Sequence, residues 1–146
     1  MGPIEHASVM ELDNLYRINV RAPYALTKAL LPAVRASHGQ IVFINSSVGL
    51  VARASVAAYA ASKHALKAIA DSLRSEVNAD GVRVITVYPG RTATPQQQKI
   101  HNLEGKQYEP GRLLQPEDVA KAILNALAMP RTAEVTDISI RPMQKT

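Results

Sequence analysis

Gln40-Ile41-Val42-Phe43-Ile44-Asn45 is an apolar run with no polar alternation. A strand with one solvated face alternates, so an unbroken run predicts a strand covered on both faces, as in a parallel sheet. The run ends in Ser46-Ser47-Val48-Gly49, which puts hydroxyls at its carboxyl end. That is the edge at which open α/β sheets bind ligands. The strand reads as a central one, yet no strand pattern precedes it here. Its bare edge would be an aggregation hazard without a partner.

On the C-terminal side, an Ala-rich helix is expected over 57–78, with Tyr59, Lys63, Leu66, Ala70, Leu73 and Val77 on one stripe. Ala58, Ala61, Ala65 and Ala68 are small enough for close helix–helix approach. Asp80-Gly81 turns the chain. Val82 to Tyr88 is a β-branched strand that ends in Pro89-Gly90. Residues 91–115 are polar and aperiodic, and they read as a functional flap without secondary structure of its own. Pro116-Glu117-Asp118 opens a third helix, with proline first and acids in the first turn. A last short strand is expected over 135–140.

On the N-terminal side, residues 1–7 read as irregular. Ser8 with Glu11 matches a capping box. Val9, Leu12, Leu15, Tyr16, Asn19 and Val20 then recur at helical spacing. An amide at Asn19 on that apolar stripe needs hydrogen-bond partners. Pro23 has no N–H to give the Asn19 carbonyl four residues back, so a kink is expected there. The freed carbonyl is either satisfied by a neighbour or offered to an ordered water. The helix resumes to Val34 and stops at Ser37-His38-Gly39. Helices alternating with strands predict an α/β chain: a parallel sheet with right-handed crossovers and flanking helices, in one domain over 1–146.

Composition narrows the function classes. Hydrophobic residues make up 47% of the 146, enough for a globular core. With no cysteine, disulfide frameworks, thiol catalysis and cysteine-ligated zinc are excluded. His6, His38, His64 and His101 lack metal-ligand spacing and read as solvent-facing or helix-end residues, so no metal is expected. The net charge of +5 is scattered rather than clustered, which argues against a nucleic-acid groove. Apolar stretches break well before ~18 residues, too short to span a membrane. No secretory signal is visible, and a cytoplasmic protein is expected.

Chemistry concentrates in Tyr59-Ala60-Ala61-Ser62-Lys63, with Ser46 thirteen residues before the tyrosine. Tyrosine and lysine four apart on a helix put a phenol and an ammonium on one face. A strand-end serine beside them would add a hydrogen-bond donor for a substrate oxygen. A plain reading also stands, in which Tyr59 and Lys63 are a surface pair and Ser46 ends a strand.

These residues resemble the short-chain dehydrogenase/reductase family. Ser46 followed by Tyr-x-x-x-Lys from Tyr59 to Lys63 is similar to that family's catalytic serine, tyrosine and lysine. Asn19 resembles its fourth catalytic residue, and Pro89-Gly90 with Thr94 its turn beside the nicotinamide. The resemblance implies a partial Rossmann-like fold and an oxidoreductase taking NAD or NADP to interconvert an alcohol and a carbonyl. It implies Tyr59 as general acid/base, Ser46 on the substrate oxygen, Lys63 tuning Tyr59 and reaching the nicotinamide ribose, and Asn19 holding a proton-relay water. Tyr59, Lys63, Pro89, Gly90 and Thr94 would touch the cofactor. The family's glycine-rich phosphate turn has no counterpart among the dispersed glycines, so the chain resembles the family's C-terminal half. The implied partners are a small alcohol or carbonyl substrate and a second copy, docked through helices 8–36 and 57–78. The alternative is a truncated, non-catalytic remnant serving as a dimerisation or interaction module.

Overall fold

The computed structural model describes residues 2–144. Strands β1 (Gln40–Ile44), β2 (Arg83–Pro89) and β3 (Asp137–Ile140) form one parallel sheet in the order β1-β2-β3. Val42 lies opposite Ile85, and Val87 lies opposite Ile138. The helices are α1 (Val9–Tyr16), α2 (Ala22–Ala36), α3 (Ala57–Val77), α4 (Pro95–Leu103) and α5 (Pro116–Leu127). Helices therefore alternate with parallel strands, the Rossmann-like α/β arrangement.

The pleat of β2 divides the core in two. Val84, with Phe43 of β1, packs against Leu66, Ala70, Leu73 and Val77 of α3. Ile85 and Val87 point the other way, onto Ala126, Val119, Ile123 and Leu127 of α5. β2 is thus the strand covered on both faces, and its β-branched run satisfies both layers. β1 also packs on both faces, Phe43 and Ile41 with the α3 cluster and Val42 with the α5 cluster. Among the described residues it pairs only with β2, so it is an edge strand rather than the central one expected, and Ile44 stays 51% exposed.

The α-helical ladder is interrupted just before Pro23, where a kink was expected. Between α1 and α2 the chain makes a π turn over Arg17–Arg21, in which Ala22 N–H donates to the Arg17 carbonyl five residues back. A π turn fits the proline constraint: Pro23 cannot serve the carbonyl of Asn19, and the inserted residue takes up the lost register. Ser8 caps α1 by accepting from Met10 N–H. Ile4–His6 forms a short 3-10 turn in the stretch that read as irregular.

The flap is the larger correction. Residues 91–115 are not structureless: α4 occupies Pro95–Leu103, and a 3-10 turn follows at Pro110–Arg112. The helix begins at Thr94-Pro95, a hydroxyl cap followed by proline, and the Thr94 side chain accepts from Gln97 N–H. Polar composition had hidden this start. Thr92 and Leu114 form a parallel bridge that pins the two ends of the segment together.

Candidate active site

Three elements deliver the residues singled out in the sequence. β1 ends at Ile44, and Asn45 still donates its N–H to the Val87 carbonyl. The chain then enters a 3-10 turn at Ser47–Gly49, with Ser46 at the cap in extended backbone (φ −163°, ψ 156°). The Ser46 hydroxyl accepts from Val48 N–H at 3.4 Å, which leaves its own proton free to donate elsewhere.

Lys63 lies on the inner face of α3 and is 8% exposed. Its ammonium donates to the Ile44 carbonyl at 3.1 Å, at the carboxyl end of β1. Burial holds this ammonium below the ordinary lysine value of 10.5. An ammonium carries three donors, so one bond to Ile44 leaves two. Nζ stands 5.8 Å from the centroid of the Tyr59 ring, one helical turn away. That is within the range at which a cation is drawn to a π face. Tyr59 is half-buried in the first turn of α3.

Asn19 meets this group from the π turn. Its side-chain amide donates to the Ser62 hydroxyl at 3.1 Å, and Ser62 donates in turn to the Tyr59 carbonyl at 2.8 Å. The amide that needed a partner has one, and the partner is fully buried on α3. Ser62 did not figure among the candidate residues. Its signal was a polar side chain inside an Ala-rich helix, next to Lys63.

Asn45 was missed as well. Its side chain is 4% exposed, donates to the Lys63 carbonyl at 3.0 Å and accepts from Ser46 N–H at 2.9 Å. The signal available was an amide at the end of an apolar run, four residues before a glycine. Gly49 is required by that amide, because a Cβ there would stand 2.4 Å from Asn45 Oδ1.

The remaining candidates lie at the neighbouring strand end. Pro89 closes β2, and Gly90 N–H donates to the Ile140 carbonyl at 2.8 Å. A Cβ on Gly90 would come within 3.0 Å of Pro142. The Gly90 carbonyl accepts from the Thr92 hydroxyl. Thr94 spends its oxygen on the α4 cap, and among the described residues no hydrogen bond joins it to Tyr59 or Lys63. Ser62 thus links Asn19 to the main chain of Tyr59, Asn45 links Ser46 to the main chain of Lys63, and Thr94 is left on the flap.

His101 stands in the last turn of α4, a helix-end position as expected, but faces inward rather than solvent. It is 4% exposed, bonds the Gln97 carbonyl through Nδ1 at 2.8 Å and meets the Tyr108 ring edge-on. It turned inward because the segment that carries it is helical.

A family model described as short chain dehydrogenase matches residues 1–105. Over 133 residues the chain is 34% identical to a cyclopentanol dehydrogenase of Comamonas sp. (strain NCIMB 9872), covering 85% of this chain and 52% of that protein. Over 98 residues it is 39% identical to an NADPH-dependent 3-dehydrocapnine reductase of Ornithobacterium rhinotracheale, covering 64% of this chain and 35% of the relative. Its fold matches an alcohol dehydrogenase of Thermococcus sibiricus, solved with 5-hydroxy-NADP, at a TM-score of 0.82 and 22% identity, over 99% of this chain and 59% of that one. The chain therefore spans about half the length of such relatives, or less.

Proposed function

Because this chain belongs to the short-chain dehydrogenase family, we propose that it carries the nicotinamide and substrate side of an NAD(P)-dependent oxidoreductase. The reaction is the interconversion of an alcohol and a carbonyl by hydride transfer. One observation carries the reading: a buried lysine ammonium sits at the carboxyl end of a parallel strand, bonded to Ile44, one turn from a tyrosine and beside the Ser46 turn.

The donor set fits the nicotinamide end of such a cofactor. The two remaining Lys63 donors suit a ribose diol, Pro89 and Gly90 stand at the neighbouring strand end, and Thr94 on the flap keeps a hydroxyl proton to offer from there. The names of the Ornithobacterium and Thermococcus proteins support a nicotinamide dinucleotide. When bound, that group supplies or accepts the hydride. Ser46 holds the substrate oxygen through its free hydroxyl proton. The Tyr59 phenol donates a proton to that oxygen in reduction and takes it back in oxidation. The Lys63 ammonium favours the phenolate as the proton leaves. Asn19, whose carbonyl has no N–H four residues on, holds the water that returns protons towards Lys63.

The substrate class follows the named relatives: a small alcohol or its ketone, with cyclopentanol as the first probe. The test is turnover of cyclopentanol with NAD and NADP by the wild type and by Tyr59→Phe. A loss of at least ~100-fold is expected from the general acid/base role. Retained turnover in the variant removes Tyr59 from that role.

A second reading rests on a different observation. Val9, Ile18, Tyr24, Leu26 and Leu30, along α1, the π turn and α2, are 51–73% exposed. Such exposed apolar side chains support a homo-oligomer through the helical region 8–36, with or without catalysis. Analytical ultracentrifugation that finds only monomer removes this second reading.

A further inference from the structure

We infer that Asn45 is a positioning residue of this site: its side-chain amide clasps the end of β1 to α3 and so sets where Ser46 and Lys63 stand relative to each other. The inference rests on the dehydrogenase reading above, in which those two residues share one substrate and cofactor.

An asparagine at a strand end is ordinarily a solvated turn former. Asn45 is 4% exposed and spends its amide on two residues of the candidate site. Nδ2 donates to the Lys63 carbonyl, and Oδ1 accepts from Ser46 N–H. Lys63 returns the contact, since its ammonium donates to Ile44, the residue before Asn45. The clasp is therefore reciprocal: the last strand residue and the one after it hold one helix residue by its side chain and its main chain. The Asn45 backbone is itself anchored on β2, through Val87.

The amide has little freedom to be replaced. Aspartate would set an acceptor against the Lys63 carbonyl. Serine would not span the distance to it. A longer glutamine would meet Gly49, whose missing Cβ already makes the room the amide occupies. Slackening of the clasp separates α3 from the Ser46 turn, because no other side-chain bond joins Ser46 to α3 among the described residues.

The test uses the full chain without nucleotide and follows two NMR readouts: hydrogen exchange of the Ser46 amide and the titration of Lys63 through its 13Cε shift. Asn45→Ala is expected to speed Ser46 exchange about tenfold or more, the loss of a net hydrogen bond of ~1.4 kcal/mol. It is also expected to raise the pH at which Lys63 titrates, because a looser contact admits water to the charged form. Gly49→Ala displaces the same amide without removing it and adds no charge. It should move Lys63 in the same direction, so the test survives a poorly folding Asn45→Ala. Urea unfolding establishes that each variant is folded. An unchanged Lys63 titration in a folded variant overturns the inference, even where stability has fallen. Both readouts are made without cofactor, so their failure is distinct from a failure of the chain to bind a nicotinamide.

Discussion

The Asn19 amide and the Ser62 hydroxyl lie 43 residues apart in sequence and 3.1 Å apart in the fold. This bond, continued from Ser62 to the Tyr59 carbonyl, fixes the π turn against the first turns of α3. Ser62→Ala strands the Asn19 amide in a partly buried place. The expected cost is roughly 1–3 kcal/mol. A domain of this size loses about 2–4 °C for each kcal/mol, so calorimetry should show a fall of several degrees. An unchanged midpoint would mean that Asn19 finds another partner.

Lys63 gives a pH signature. Burial holds its folded value below 10.5, so the unfolded chain binds this proton more tightly than the folded chain does. The destabilising effect is fully present below the depressed value and is relieved as pH rises from there through 10.5. The wild type should therefore gain stability relative to Lys63→Met as pH rises towards 10.5. Urea midpoints for both proteins would show it, and parallel pH dependence would contradict the burial of the ammonium.

The flap has an acid-sensitive tether. Partial burial pushes the Glu104 carboxyl up, but the hydrogen bonds and charges of Arg91 and Lys106 outweigh it and hold its value below 4.5. Arg91 Nη2 donates to both carboxyl oxygens at 2.8 Å. A depressed carboxylate contributes stability above 4.5 that is lost as pH falls through its folded value. Amide exchange around Gly105 and Lys106, taken relative to its intrinsic rate at each pH, should quicken on acidification of the wild type. Glu104→Gln should show the quicker exchange already at neutral pH and lack the acid step.

Tyr88 provides a contrasting case. Its side chain is 1% exposed, and its hydroxyl has no hydrogen-bond partner among the described residues. Burial, with the charge of Asp137 beside it, pushes the phenol up to about 12. Removing an unsatisfied buried hydroxyl costs little, so Tyr88→Phe should leave stability within about 0.5 kcal/mol of the wild type or above it. A loss of ~2 kcal/mol or more would reveal a partner for the hydroxyl.

Periodicity carried most of the fold. The unbroken β-branched run of β2 and the three-and-four spacing from Lys63 to Val77 follow from burial, and burial leaves its mark on sequence. The flap did not show itself, because α4 is largely polar and only its start, Thr94-Pro95, signals a helix. The inward turn of His101 was hidden for the same reason. In the site, the spacing of Ser46, Tyr59 and Lys63 was legible because it follows one strand end and one helical turn. Asn45, Gly49 and Ser62 were not, since their worth depends on which strand end meets which helix turn. β1 reads as a central strand, because the pattern records the environment an apolar run requires, whereas this chain pairs it on one side.

The most direct test of the central claim compares two probes on the full chain: NADH and reduced nicotinamide mononucleotide, which lacks the adenosine half. This sequence has no glycine-rich phosphate turn, so binding would fall to Lys63, Tyr59 and the Pro89-Gly90 end of β2. Calorimetric titration should then give the two probes dissociation constants within about tenfold of each other, a difference under ~1.4 kcal/mol, and Lys63→Met should weaken both. Absence of binding by either probe at millimolar concentration would contradict the account.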